Sequence, residues 1–265
     1  MSKSFSDLGI SSLLQQSLSD LQLSVPTDIQ QKAIPIILGK TEDVVAIAKT
    51  GTGKTAAFCL PLLQLIDIND STVQALILVP TRELGHQIHA NLVSYASLSS
   101  DISTAALCGG ISIKPQIERL KSTPQIVVAT PGRLLDLISK DAISLKALKY
   151  LILDEADEMV SAFKDNLDQI IKDIPKAHRT LVFTATLSGA VKQLVQNYMS
   201  KHVLQIEADM KTLGHQGIDH KYVVVEPIEK LAVLMHFLTT KEGQRGIIFC
   251  KTKAAVNKLA KNLAI

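Results

Sequence analysis

The chain has 265 residues, of which 46% are hydrophobic and 20% charged, with a formal net charge of +3. That content supports a sizeable core and excludes a disordered chain, no apolar run reaches the length of a bilayer span, and Met1-Ser2-Lys3-Ser4 leads into no signal-peptide core. The mild positive balance permits a polyanionic partner without requiring one. Cys59, Cys108 and Cys250 are isolated in or beside apolar stretches, so they read as reduced, buried thiols in a soluble, cytoplasmic protein.

The first periodic segment, Ser12 to Leu18, has apolar spacing that suits a helix. A second helix is expected after Pro26-Thr27, capped by Thr27 or Asp28 and supported by the Gln residues that follow. Gln30 carries an amide that both donates and accepts, as the hydrogen-bonding edge of adenine demands. A solvated surface glutamine would look the same.

Next comes a short buried strand, Val44 to Ile47, then Ala48-Lys49-Thr50-Gly51-Thr52-Gly53-Lys54-Thr55, then a helical segment from Ala56. Strand, glycine-containing turn and helix start, in that order, make a phosphate cradle. Glycines let successive N–H groups face one anion, and the helix dipole adds partial positive charge. Lys54 would reach the β- and γ-phosphates of a nucleoside triphosphate, and the Thr55 hydroxyl would ligate Mg²⁺. Ala48 stands where the strict phosphate-loop pattern has Gly. The competing reading is an ordinary strand–turn–helix that happens to carry Gly and Lys.

Further apolar runs follow at 75–79, 103–107, 126–129, 150–153, 180–183 and 203–206, separated by helix-length segments. Continuous apolar runs mean strands covered on both faces, and the spacing predicts a parallel, doubly wound α/β sheet. Ligands in such sheets bind at the carboxyl ends of strands. Directly after these runs stand Pro80-Thr81-Arg82, Gly109-Gly110, Thr130-Pro131-Gly132-Arg133, Asp154-Glu155-Ala156-Asp157 and Thr184-Ala185-Thr186. Asp154, at a strand tip, is placed to bind Mg²⁺ through water, and Glu155 to orient or deprotonate an attacking water. An acidic helix cap would account for the same two residues locally. Thr-Pro-Gly-Arg alone likewise suits a helix-initiating turn.

Together these motifs resemble those of the DEAD-box ATP-dependent RNA helicases of superfamily 2, from Phe5 to the run ending at Cys250. The resemblance implies a RecA-like fold with ATP and Mg²⁺. It implies adenine recognition by Phe5 and Gln30 and phosphate binding by Ala48 to Thr55. Catalysis would rest on Lys54, Asp154, Glu155 and Asp157, with Asp157 coupled to Thr184, Ala185 and Thr186. Single-stranded RNA would run past Pro80, Thr81, Arg82, Gly109, Gly110, Thr130, Pro131, Gly132 and Arg133. Small residues there admit a sugar–phosphate backbone, and helix-start N–H groups with two arginines suit phosphates rather than bases. Binding should therefore be sequence-independent and salt-sensitive.

Three places depart from the family pattern. Gln22 and Leu23 stand where Gly and an aromatic are usual, Thr184 replaces Ser, and the loop at Met159 to Phe163 is one residue short. A RecA-like domain is expected at 1–207, a linker at 208–217 and the start of a second such domain at 218–265. That start would hold strands at 220–225 and 246–250 and a helix with Pro227 in its first turn. The arginines that the second domain normally brings to the γ-phosphate have no motif here, so a truncated chain with poor turnover is expected. The alternatives are a non-hydrolysing nucleotide-binding module and, more remotely, a small-molecule kinase.

Overall fold

The computed structural model describes residues 3–98, 101–208, 219, 221–240, 243 and 245–263. It divides into two units, Met1–Gly214 and His215–Ile265. The linker expected at 208–217 lies, apart from Ala208, outside the described residues.

In the first unit the elements run α1 (Ser12–Asp20), α2 (Asp28–Gly39), β1 (Asp43–Ile47), α3 (Lys54–Leu65), β2 (Ala75–Leu78) and α4 (Arg82–Tyr95). They continue as β3 (Thr104–Leu107), α5 (Lys114–Leu120), β4 (Ile126–Ala129), α6 (Pro131–Ile138), β5 (Tyr150–Leu153) and α7 (Ala156–Ala162). The last are α8 (Lys164–Asp173), β6 (Arg179–Thr184), α9 (Gly189–Tyr198) and β7 (Val203–Glu207). Seven strands form one sheet in the order β3-β4-β2-β5-β6-β1-β7, and every pairing is parallel. This is a RecA-like α/β fold.

Side-chain alternation along each strand builds two cores. Val44, Ala46, Ile77, Val128, Ile152 and Phe183 face α1 to α4, whereas Val45, Leu76, Leu78, Val127, Leu151 and Val182 face α6 to α9. Both faces are apolar because both are covered, which is why the runs showed no alternation.

The amino-terminal edge of the sheet is fastened by buried polar groups. Arg179 donates to the carbonyls of Glu42 at 2.7 Å, Ile37 at 2.6 Å and Ile36 at 3.3 Å. Asp43 accepts from the N–H groups of Thr180 at 2.7 Å and Ser200 at 2.6 Å. One residue, Phe163, separates α7 from α8.

The second unit contains α10 (Lys230–Thr240) and α11 (Lys253–Leu263). The expected strands at 220–225 and 246–250 differ from what is found. Among the described residues neither stretch joins a ladder, and Tyr222, Val224, Ile247 and Phe249 are each more than four-fifths exposed. Apolar β-formers make a strand only where a neighbour takes up their backbone groups. Pro227 lies in the turn before α10, not inside it.

Candidate nucleotide and nucleic-acid site

The strand order sorts the expected site residues into two neighbouring groups. The loops after β5, β6 and β1, adjacent in the sheet, carry Asp154 to Asp157, Thr184 to Thr186 and Ala48 to Thr55. Those after β3, β4 and β2, also adjacent, carry Gly109-Gly110, Thr130 to Arg133 and Pro80 to Arg82.

The phosphate loop continues the sheet before it turns. Ala48 N–H donates to the Thr184 carbonyl at 2.9 Å, so β1 and β6 stay paired up to the loop. Thr52 Oγ1 then donates to the Lys49 carbonyl at 2.7 Å and closes the turn. Gly53 has φ +91°, a left-handed conformation that favours glycine, and a Cβ there, 2.4 Å from Gln30 Nε2, would push the Gln30 amide aside. Gln30 bridges two elements: Oε1 accepts from Thr27 N–H at 2.9 Å, and Nε2 donates to the Gly53 carbonyl at 3.0 Å. The glutamine thus ties the start of α2 to the start of α3. Lys54 opens α3 only 6% exposed, and among the described residues its Nζ has no hydrogen-bond partner. A buried ammonium without an acceptor is a group arranged for an anion.

Asp154 caps β5. Its N–H donates to the Leu78 carbonyl at 3.1 Å, and its Oδ1 accepts from Glu155 N–H at 3.0 Å. Burial pushes the Asp154 carboxyl above its ordinary value, and the Lys54 charge partly offsets this. Burial, followed by the Asp154 charge, likewise raises Glu155. Glu155 holds φ 50° and ψ 51°, a left-handed conformation unusual outside glycine and typical of residues aimed by function. Thr186 Oγ1 donates to Asp157 Oδ2 at 3.1 Å, and Thr184 Oγ1 to the Thr186 carbonyl at 2.9 Å.

On the other side, Thr81 caps α4 through Leu84 N–H at 3.3 Å, with Pro80 buried behind it. Arg82 Nη1 reaches the Gly110 carbonyl at 3.4 Å, and Gly109 N–H donates to Thr130 Oγ1 at 3.2 Å. Arg133 Nη2 donates to the Ile111 carbonyl at 2.7 Å, while its buried Nε and Nη1 lack partners among the described residues. Pro131 is buried at the first position of α6, and nothing lies within 4 Å of a Cβ built on Gly132.

Some residues sit differently from their neighbours in the motifs. Phe5 is 5% exposed within the core that includes Leu8 and Ile10, while Leu23 is 42% exposed. Gln22 takes φ 58° at the end of α1, where Gln22 N–H bonds to Ser19 O and Leu23 N–H to Leu18 O. That is a Schellman ending, whose left-handed position favours glycine. Two further residues carried no sequence signal: Gln116 on α5, which donates to the Cys108 carbonyl, and Gly85 on α4, which lies against Cys108.

A RecA-like sheet with a phosphate loop and an acidic pair on neighbouring strand ends defines the class. The chain belongs to the DEAD/DEAH box helicase family, whose family model matches residues 27–194. It is 38% identical over 261 residues to the ATP-dependent RNA helicase CshA of Listeria monocytogenes, covering 98% of this chain and 49% of that protein. It is 36% identical over 260 residues to the ATP-dependent RNA helicase DeaD of Escherichia coli, covering 98% of this chain and 41% of that protein. The chain thus spans about half the length of the curated relatives it matches. A crystal structure of a DEAD box protein from Methanococcus jannaschii superposes with a TM-score of 0.75 at 36% identity, covering all of this chain and 71% of that one. No helix among the described residues is long and apolar enough to cross a membrane.

Proposed function

We propose that this chain is the nucleotide-binding part of an ATP-dependent RNA helicase, an ATPase that remodels RNA by gripping its backbone. The observation that carries the reading is the buried, unpartnered Lys54 ammonium at the start of α3, next to a loop closed by Thr52 and by Gln30. The α3 N-terminus and Lys54 would take the β- and γ-phosphates. Thr55 and Asp154 would hold Mg²⁺, which neutralises phosphate charge when bound. Glu155, with its raised carboxyl, would accept the proton of the attacking water. Gln30, already donating and accepting at the edge of the loop, would read the adenine with Phe5.

RNA would lie across the ends of β3, β4 and β2, its phosphates met by Arg82, Arg133 and the helix-start amides. No group there suits base reading, so recognition would rest on the backbone. In this reading ATP closes two domains over single-stranded RNA and bends it, local strands part, and hydrolysis resets the clamp.

Fluorescent-ATP binding, RNA-stimulated phosphate release and duplex unwinding test the proposal. Lys54→Ala should abolish nucleotide binding, and Glu155→Gln should keep binding while losing hydrolysis. Turnover that survives Glu155→Gln unchanged would remove the catalytic assignment. Nucleotide binding with no RNA response would favour a nucleotide-binding module or a small-molecule kinase.

A further inference from the structure

The turn after β3 is held at four successive residues by side chains from α4, α5 and α6 and the α6 cap. The Cys108 carbonyl accepts from Gln116 Nε2 at 2.9 Å, and Gly109 N–H donates to Thr130 Oγ1 at 3.2 Å. The Gly110 carbonyl faces Arg82 Nη1 at 3.4 Å, and the Ile111 carbonyl accepts from Arg133 Nη2 at 2.7 Å. These clamps are of two kinds. Arg82 is exposed and has donors to give an anion, whereas Arg133 Nε and Nη1 are sealed from solvent and, among the described residues, without partners. Gln116 is 6% exposed, and its Oε1 is sealed from solvent with no partner. A sealed amide cannot touch a nucleic acid, and its one side-chain hydrogen bond goes to the turn.

When a phosphate competes for Arg82, the clamp on Gly110 weakens. The clamps from Gln116 and Thr130 stay. Gly110 sits at φ +83°, a left-handed conformation that favours glycine. We infer that Gln116 is a positioning residue for the nucleic-acid contact, holding the Cys108 carbonyl so that the Gly109-Gly110 turn keeps its shape as Arg82 moves to phosphate. The inference rests on the functional reading above. Arg119 Nη2 independently bonds the Thr104 carbonyl at 3.1 Å, so α5 stays anchored to β3 when Gln116 is changed.

The test measures the 265-residue chain with a fluorescein-labelled oligouridine RNA by anisotropy, and with a fluorescent ATP analogue in parallel. Gln116→Met keeps the length and loses the donor. Losing one neutral hydrogen bond at the turn should weaken RNA binding about five- to tenfold. Nucleotide affinity should stay within about twofold, since that site lies on the other strand ends. Gln116→Glu adds a signature that lost packing would not give. At neutral pH an ionised carboxylate would oppose the Cys108 carbonyl, whereas the protonated acid can donate to it. RNA affinity of Gln116→Glu, relative to the parent chain, should therefore recover as pH falls. RNA binding by Gln116→Met equal to the parent's overturns the inference, as does parallel loss of RNA and nucleotide binding. A parent chain that binds ATP but no RNA sinks the functional reading, and this inference with it.

Discussion

The Thr186 hydroxyl donates to Asp157 Oδ2 at 3.1 Å, joining the turn after β6 to the first turn of α7. The connection continues inward. The Thr186 carbonyl accepts from Thr184 Oγ1, and the Thr184 carbonyl accepts from Ala48 N–H at the mouth of the phosphate loop. A path of hydrogen bonds therefore runs from the acidic strand end to the loop that would hold phosphate. Thr184 supplies the hydroxyl here in place of the more usual Ser.

Thr186→Val removes the outermost link while keeping the side-chain shape. The bond is exposed, so the loss of folding stability should be about 1 kcal/mol or less. Nucleotide affinity should hardly change. RNA-stimulated hydrolysis should fall about tenfold, which corresponds to about 1.4 kcal/mol of lost coupling. Thr186→Ser, which retains the hydroxyl, should behave like the parent in the same phosphate-release assay.

The Asp154 carboxyl is raised above its ordinary 3.8 by burial. A group raised on folding binds its proton more tightly in the native chain. Its charged form is therefore a stability penalty above the raised value, relieved as pH falls through that value towards 3.8. Asp154→Asn removes the charge and keeps Oδ1 as the acceptor for Glu155 N–H. In thermal melts without nucleotide, Asp154→Asn should melt above the parent at neutral pH. The gap should narrow as the buffer is acidified, whereas a constant gap would mean that packing, not charge, separates the two chains.

Gln22 offers a stabilising change. It occupies the left-handed position of the Schellman ending at φ 58°, where a side chain costs about 1 kcal/mol. Gln22→Gly should relieve that strain less the extra unfolded-state freedom of glycine. A melting point higher by about 1–2 °C is expected for a domain of this size, since the net gain is only a fraction of about 1 kcal/mol. Leu23 and Val25 are exposed nearby in the sequence, so no buried contact opposes the change.

Those two cases mark what the sequence made legible. The strands could be read because both sheet faces are covered, which turned each into an unbroken apolar run such as Leu76-Ile77-Leu78. The site could be read because its residues stand directly after those runs. Partnerships across the sheet could not be read, because they depend on strand order. Nothing local says that β3, β4 and β2 are neighbours, hence nothing links Gly109 to Thr130 or Arg82 to Gly110. Tyr222 to Val224 show the opposite failure: strong β-formers suggested a strand, yet no ladder forms among the described residues.

Gly85 supplies the last test of such a hidden partnership. It sits in the first turns of α4, and a Cβ built there would lie 2.5 Å from Cys108 Sγ and 3.3 Å from Val79 Cγ2. The helix approaches the end of β3 so closely that only hydrogen fits. Gly85→Ala should force α4 outward, moving Arg82 relative to the Gly109-Gly110 turn. Overpacking of this kind should destabilise by about 1–3 kcal/mol, less the gain in helix propensity. Cys108→Ala alone would leave a small void beside Gly85. Combining the two places one methyl where the sulfur had been, so the double variant should be more stable than the sum of the single changes by about 1 kcal/mol or more. Chemical denaturation of the parent, both single variants and the double variant measures this coupling directly. Additive losses would mean that α4 relaxes away from Cys108 without resistance.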